Sequence, residues 1–430
     1  MNGVAGVIGI DPQHLRTTVV LREGEGTAAR LAPVGDGVRR SIPNAADAQG
    51  RWGSEAAEHR LAGVRPTDAD GELYGWRCEA WSPEFRAGLH RRLTRYLGEV
   101  EPVPLHGYRT CVAVPPLGQA GTDPCWPETE PVGPTDALVC RWLTAGPDAR
   151  EVVAVAVGDT WTLTGAYRVR DTADGPHVTR VGTLRETEGT AAWRGTLLRR
   201  VLDRCPPAVL GQRILSALDG VDEFATGLRT GDQDRQVTWS GPLADVLYTP
   251  LKMTPRQFMA GAETGPATAG LVLAVQRAVR DLGAGAEEGP LIVVGGPGSL
   301  WPLRSVLPSR LGTMWQSTDP GLDLAYGASW WPSLRGRFAG KHGGRVRAVP
   351  AVGGGGGPNA AEGLGSAAGP DSPEDGFGRA GSASSVPANS GPGVPGHGSP
   401  GPGSGSTGGP EGLTLPGSDS YDEIPPWRRP

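Results

Sequence analysis

The run Val152-Val153-Ala154-Val155-Ala156-Val157-Gly158-Asp159, with Trp161 to Arg168 behind it, decides how the rest of the chain is read. Six apolar residues in a row, ending in Gly-Asp, describe a buried strand that stops at a tight turn. The stretch behind it returns as a partner strand. The same pattern stands about 145 residues earlier, spaced as a second copy of one supersecondary unit would be. There Val4-Ala5-Gly6-Val7-Ile8-Gly9-Ile10-Asp11 is a short strand closed by an acid. Pro12 to Arg16 makes the turn, and Thr17-Thr18-Val19-Val20-Leu21 returns. The second hairpin resembles the first, and the roughly 340 residues before the Gly/Pro-rich end are long enough for two substantial lobes.

Further elements fall into place around them. Arg40 to Asn44 reads as an edge strand and Gly53 to Glu58 as a helix start. Pro83 to Leu97 predicts a helix with Phe85, Leu89, Leu93, Tyr96 and Leu97 on one face. Cys111 to Pro115 is a strand, and Pro134 to Leu143 a helix with proline in its first turn. In the second half, Gly195 to Arg204, Pro206 to Leu218 and Pro255 to Leu282 read as helices. Leu291-Ile292-Val293-Val294-Gly295-Gly296 is a buried strand running into a glycine turn. Leu303 to Leu311 reads as a helix, and Asp319 to Ser329 as a small-residue helix that closes the folded part.

Composition separates this body from the C-terminal stretch. Residues 351–430 hold 22 glycines and 13 prolines, too little apolar surface to offset the entropy of ordering. That stretch also carries the whole formal charge of −5, leaving a neutral body with no broad electrostatic footprint for DNA or RNA. The five cysteines contain no C-x-x-C pair, so neither a zinc site nor a disulfide framework is indicated. With no export pattern and no apolar run long enough for a membrane span, the expectation is a cytoplasmic protein without membrane association.

The order of these elements resembles the nucleotide-binding domain of the seventy-kilodalton heat-shock (DnaK-like) chaperones, in the actin-like ATPase superfamily. The matching pieces are Val7-Ile8-Gly9-Ile10-Asp11, Val112-Ala113-Val114-Pro115, Gly133-Pro134-Thr135, Val155 to Thr160, Met253-Thr254-Pro255-Arg256-Gln257-Phe258, Val293-Val294-Gly295-Gly296, and Asp319-Pro320 with Ala325-Tyr326-Gly327-Ala328. The resemblance implies a two-lobed α/β fold of ribonuclease-H-like lobes. Lobe I would cover residues 1–150, lobe II 151–318, and a closing helix at 319–338 would pack back on lobe I. A disordered tail would cover 339–430. It also implies ATP or ADP with Mg2+ in the cleft. Asp11 would serve as catalytic acid and metal partner. Thr17, Gly158, Asp159, Thr160, Gly295, Gly296, Gly298 and Gly327 would lie around the nucleotide.

The chain departs from that family where the chemistry is done. Phosphate-gripping turns need glycine N–H groups and hydroxyls, because a Cβ blocks close approach of anionic oxygens. Here the first turn is Pro12-Gln13-His14-Leu15 and the second Gly158-Asp159-Thr160-Trp161. The family's second metal-partner acid falls at Ala156, its water-orienting glutamate at Gly133 and its site lysine at Glu58. Asp11 either keeps its metal-partner role or simply ends a strand. His14 and Arg16 either replace lost phosphate donors or are ordinary turn residues. Three functions remain open: a degenerate pseudo-ATPase acting as a binding or regulatory module with at most weak adenine-nucleotide binding, a divergent active ATPase, and a scaffold that binds no nucleotide. No stretch of the sequence resembles the family's peptide-binding domain. Residues 421–430, where Tyr421, Ile424 and Trp427 return after a stretch almost without aromatics, are a candidate docking peptide for a protein partner.

Overall fold

The structure, a computed structural model, describes residues 6–13, 16–23, 30–37, 40–61, 82–100, 108–113, 129–145, 149–206, 214–230, 232–241, 243–259, 264–283, 289–307, 309–339 and 346–348. The candidate docking peptide, His14, Leu15, Cys78, Cys125 and the Val114-Pro115 strand end lie outside the described residues.

The fold is mixed α/β, built on two sheets of the same design. In the first, β1 (Gly6–Pro12), β2 (Arg16–Glu23) and β3 (Arg30–Pro33) run antiparallel. β5 (Tyr108–Ala113) and β6 (Thr129–Val132) join the other side of β1 in parallel, and β4 (Ser41–Pro43) pairs with β2. In the second sheet, β7 (Glu151–Val157), β8 (Trp161–Thr172) and β9 (Gly175–Glu188) run antiparallel, with β12 (Leu291–Gly295) and β13 (Thr313–Trp315) parallel beyond β7. With β4, which lies off the path beside β2, left aside, the order in each sheet is third, second, first, fourth, fifth; in the second sheet one further short strand follows at the β9 edge. The duplicated hairpins are therefore the centres of duplicated sheets. A minor ribbon pairs β10 (Val237–Thr238) with β11 (Lys252–Met253). The second sheet also continues into the stretch assigned to the tail: β14 (Phe338–Ala339) and β15 (Val346–Ala348) both pair with β9.

Helices cover the sheets. The described helices are α1 (Gly53–Leu61), α2 (Pro83–Val100), α3 (Pro134–Ala145), α4 (Ala191–Leu202), α5 (Ile214–Thr230), α6 (Pro255–Met259), α7 (Gly265–Leu282) and α8 (Asp323–Leu334). Phe85, Leu89 and Leu93 of α2 bury against Ile8, Ile10, Val19 and Leu21 on one face of the first sheet. The layer between the sheets is made by a crossed pair. α3 leaves the first sheet and packs on β7, β8 and β12, whereas α8 leaves the second half and packs on β1, β2 and β5. α3 and α8 also pack on each other at close range. A Cβ at Gly327 would overlap the Ala137 carbonyl, and one at Gly9 would overlap the carbonyl of Ala325. Only glycine permits these approaches.

Some elements differ from their sequence-based expectations. The Pro255–Leu282 stretch is two helices, α6 and α7, with 260–263 outside the described residues. α5 runs to Thr230 rather than stopping at Leu218, because the stripe Ala217, Val221, Phe224, Ala225 and Leu228 continues past Gly220 and is buried. Leu303–Leu311 forms two short 3-10 turns, Leu303–Ser305 and Ser309–Leu311, not a helix. Pro308 falls inside it and cannot donate to a helical ladder. Among the described residues no helix is long and apolar enough to cross a membrane. Cys111, Cys140 and Cys205 are buried free thiols.

Candidate functional site

The two hairpin turns face one another, and the side chains between them belong to the protein itself. In the first turn the Gln13 N–H donates to the Arg16 carbonyl at 2.9 Å; in the second, the Gly158 N–H donates to the Trp161 carbonyl at 2.8 Å. Gln13, where the family pattern has glycine, spans the gap. Its Nε2 donates to Asp11 Oδ1 at 2.5 Å, and its Oε1 accepts the Asp159 backbone N–H at 3.0 Å. One amide thus joins the last acid of β1 to the turn after β7. Asn44 fixes Gln13 from behind: its Nδ2 donates to the Gln13 carbonyl at 2.6 Å, and its Oδ1 accepts the Thr17 hydroxyl at 2.7 Å.

Charge completes the bridge. Arg194, near the start of α4, donates through Nη1 to Asp159 Oδ1 at 2.8 Å. Through Nη2 and Nε it donates to Asp222 Oδ1 at 2.7 and 3.1 Å. Asp222, on α5, also accepts from Arg16 Nη1 of β2 at 2.6 Å, an ion pair between the two halves. Arg194 and Asp159 are almost wholly buried, with side chains 3 and 2 % exposed.

The electrostatics follow from this arrangement. Burial raises the Asp11 pKa to about 8; the Gln13 hydrogen bond opposes that rise and the charge of Asp159 adds to it. Asp11 is fully buried, and among the described residues its Oδ2 has no hydrogen-bond partner. For Asp222, burial is outweighed by the charges of Arg16 and Arg194, which pull its carboxyl below the usual range. For Arg194, burial is outweighed by Asp222 and then Asp159, which hold the guanidinium protonated. The network is therefore a chain of alternating charge that ends at a carboxyl to which, among the described residues, no cation is bonded.

The structure brings together Asp11, Thr17, Gly158 and Asp159 from the sequence-based set. Thr160 is on the exposed side of its turn. Gly295 lies against Leu138 and Asp323, and Gly298 against Val157 and Thr190. The Gly296 N–H is bonded to the Pro320 carbonyl at 2.9 Å. Gly327 sits in the α3–α8 crossing rather than at the turns. Trp161 is buried and packs beside Gly158. Of the three positions that depart from the family's catalytic pattern, Ala156 is buried in β7, Gly133 precedes α3 and Glu58 is exposed on α1. Among the described residues no group of three or more His, Cys, Asp or Glu is arranged to hold a metal. Sequence reasoning missed Arg194, Asp222 and Asn44. None of them sits in a motif, and only the register of α4 against α5 makes two of them neighbours.

No protein-family model matches this chain, and no curated protein matches it. The functional reading therefore rests on the geometry.

Proposed function

We propose that this protein is a degenerate relative of heat-shock-70-type nucleotide-binding domains, with the two-lobed actin-like fold. On this reading it is a pseudo-ATPase that acts as a binding or regulatory module. The repeated strand order and the crossed helices α3 and α8 support the fold assignment. The observation that carries the functional reading is the Gln13–Asp159–Arg194 bridge. Its donors and acceptors occupy the gap that phosphates and their metal would need.

The residues present fit a magnesium nucleotide poorly. Asp11 is held as a neutral acid at neutral pH, and an uncharged carboxyl is a weak ligand for a hard cation. Asp159 is already neutralised by Arg194. The turns retain no glycine N–H array: Gln13 replaces one glycine, and the Gly158 N–H is spent on Trp161. Phosphoryl transfer depends almost wholly on positioning and charge stabilisation. Loss of a single preorganised donor typically costs on the order of 10²–10³ in rate, and several are missing here. The halves are also fastened beyond the turns, since Ala45, Ala56 and Ala57 join the buried cluster of Trp193, Leu197, Val221 and Ala225. A module fastened in this way presents one fixed surface to a partner instead of opening and closing with nucleotide.

Calorimetric titration with Mg-ATP and Mg-ADP, together with a phosphate-release assay, tests the proposal. The expected result is no saturable heat at sub-millimolar nucleotide and no release above a buffer control. Clear hydrolysis that disappears in Asp11→Ala would overturn it.

A further inference from the structure

No further inference is drawn: the strongest candidate, the cavity of about 420 Å³ where β7 begins and β8 ends, is lined by Glu151 and Asp171 as well as by Arg150, Arg168 and Arg170, and nothing in the structure shows what fills it.

Discussion

Asp11 at the hairpin turns and Asp323 at the start of α8 are both wholly buried, and among the described residues neither Oδ2 has a hydrogen-bond partner. They differ in the company of the other oxygen. Asp323 Oδ1 receives the Arg141 guanidinium and the Ser317 hydroxyl, while Asp11 Oδ1 receives only the neutral amide of Gln13. Burial raises both pKa values, to about 6 for Asp323, where Arg141 opposes it, and to about 8 for Asp11, where the charge of Asp159 adds to it. One carboxyl is thus a buried anion at neutral pH, and the other a buried acid. A single well-placed cation separates the two states. At the turns that cation exists, but Arg194 spends it on Asp159 and Asp222 instead of on Asp11.

The sharpest way to break this contrast is to remove that cation. Arg194→Met keeps most of the side-chain volume while leaving Asp159 buried with its charge uncompensated. Removing one partner of a buried pair typically costs about 3–5 kcal/mol, and denaturant unfolding should show a loss of that order. Arg194→Lys should recover only part of it, because an ammonium cannot reproduce a fork that reaches two carboxylates at once. A loss under about 1 kcal/mol in Arg194→Met would mean that Asp159 finds water or takes up a proton instead.

How much of this is legible in the sequence depends on whether an interaction has a local signature. The hairpins β1–β2 and β7–β8 and the strand β12 are legible from unbroken apolar runs ended by turn residues, since burial on both faces leaves that trace. β9 is not, because Gly175–Glu188 mixes Thr, Arg and Glu with scattered apolar residues, and its buried and exposed positions interleave without an unbroken apolar run. At the site, the replaced glycine at Gln13 is visible, but not what it does. Its partner Asp159 is 146 residues away, and the pairing depends on how two sheets face one another. Arg194 and Asp222 carry no motif at all. Chemistry made by juxtaposing two duplicated halves is written in their packing, so residues can be flagged as departures from a pattern without showing that the departures bond to each other.

An effect smaller per unit of pH, and of opposite use, comes from titration. Between the unfolded value of 3.8 and about 8, folded Asp11 keeps a proton that the unfolded chain has released. Stability should therefore fall as pH rises through that window, by up to about 1.4 kcal/mol per unit for one such group. Asp11→Asn should flatten this slope across the whole window, whereas Asp323→Asn should flatten it only up to about 6. Urea unfolding from about pH 5 to about pH 9 separates the two variants. If both flatten the same range, the cation at Asp323 makes no difference and the contrast between the two carboxyls fails.

The smallest effect belongs to the ion pair Arg40–Asp319. Arg16–Asp222 and Arg40–Asp319 both join the first half to the second, but the former has side chains 16 and 17 % exposed and the latter 76 and 41 %. Water screens the outer pair and its long side chains must be held still, so Arg40→Gln should cost less than about 0.5 kcal/mol and nothing measurable at high salt. The inner pair is shielded, and losing Arg16 leaves Asp222 with Arg194 alone, a guanidinium it already shares with Asp159. If Arg40→Gln instead weakened folding as much as Arg16→Gln, fastening would be spread along the whole boundary between the halves. The bridge at the turns would then no longer be what holds them in register.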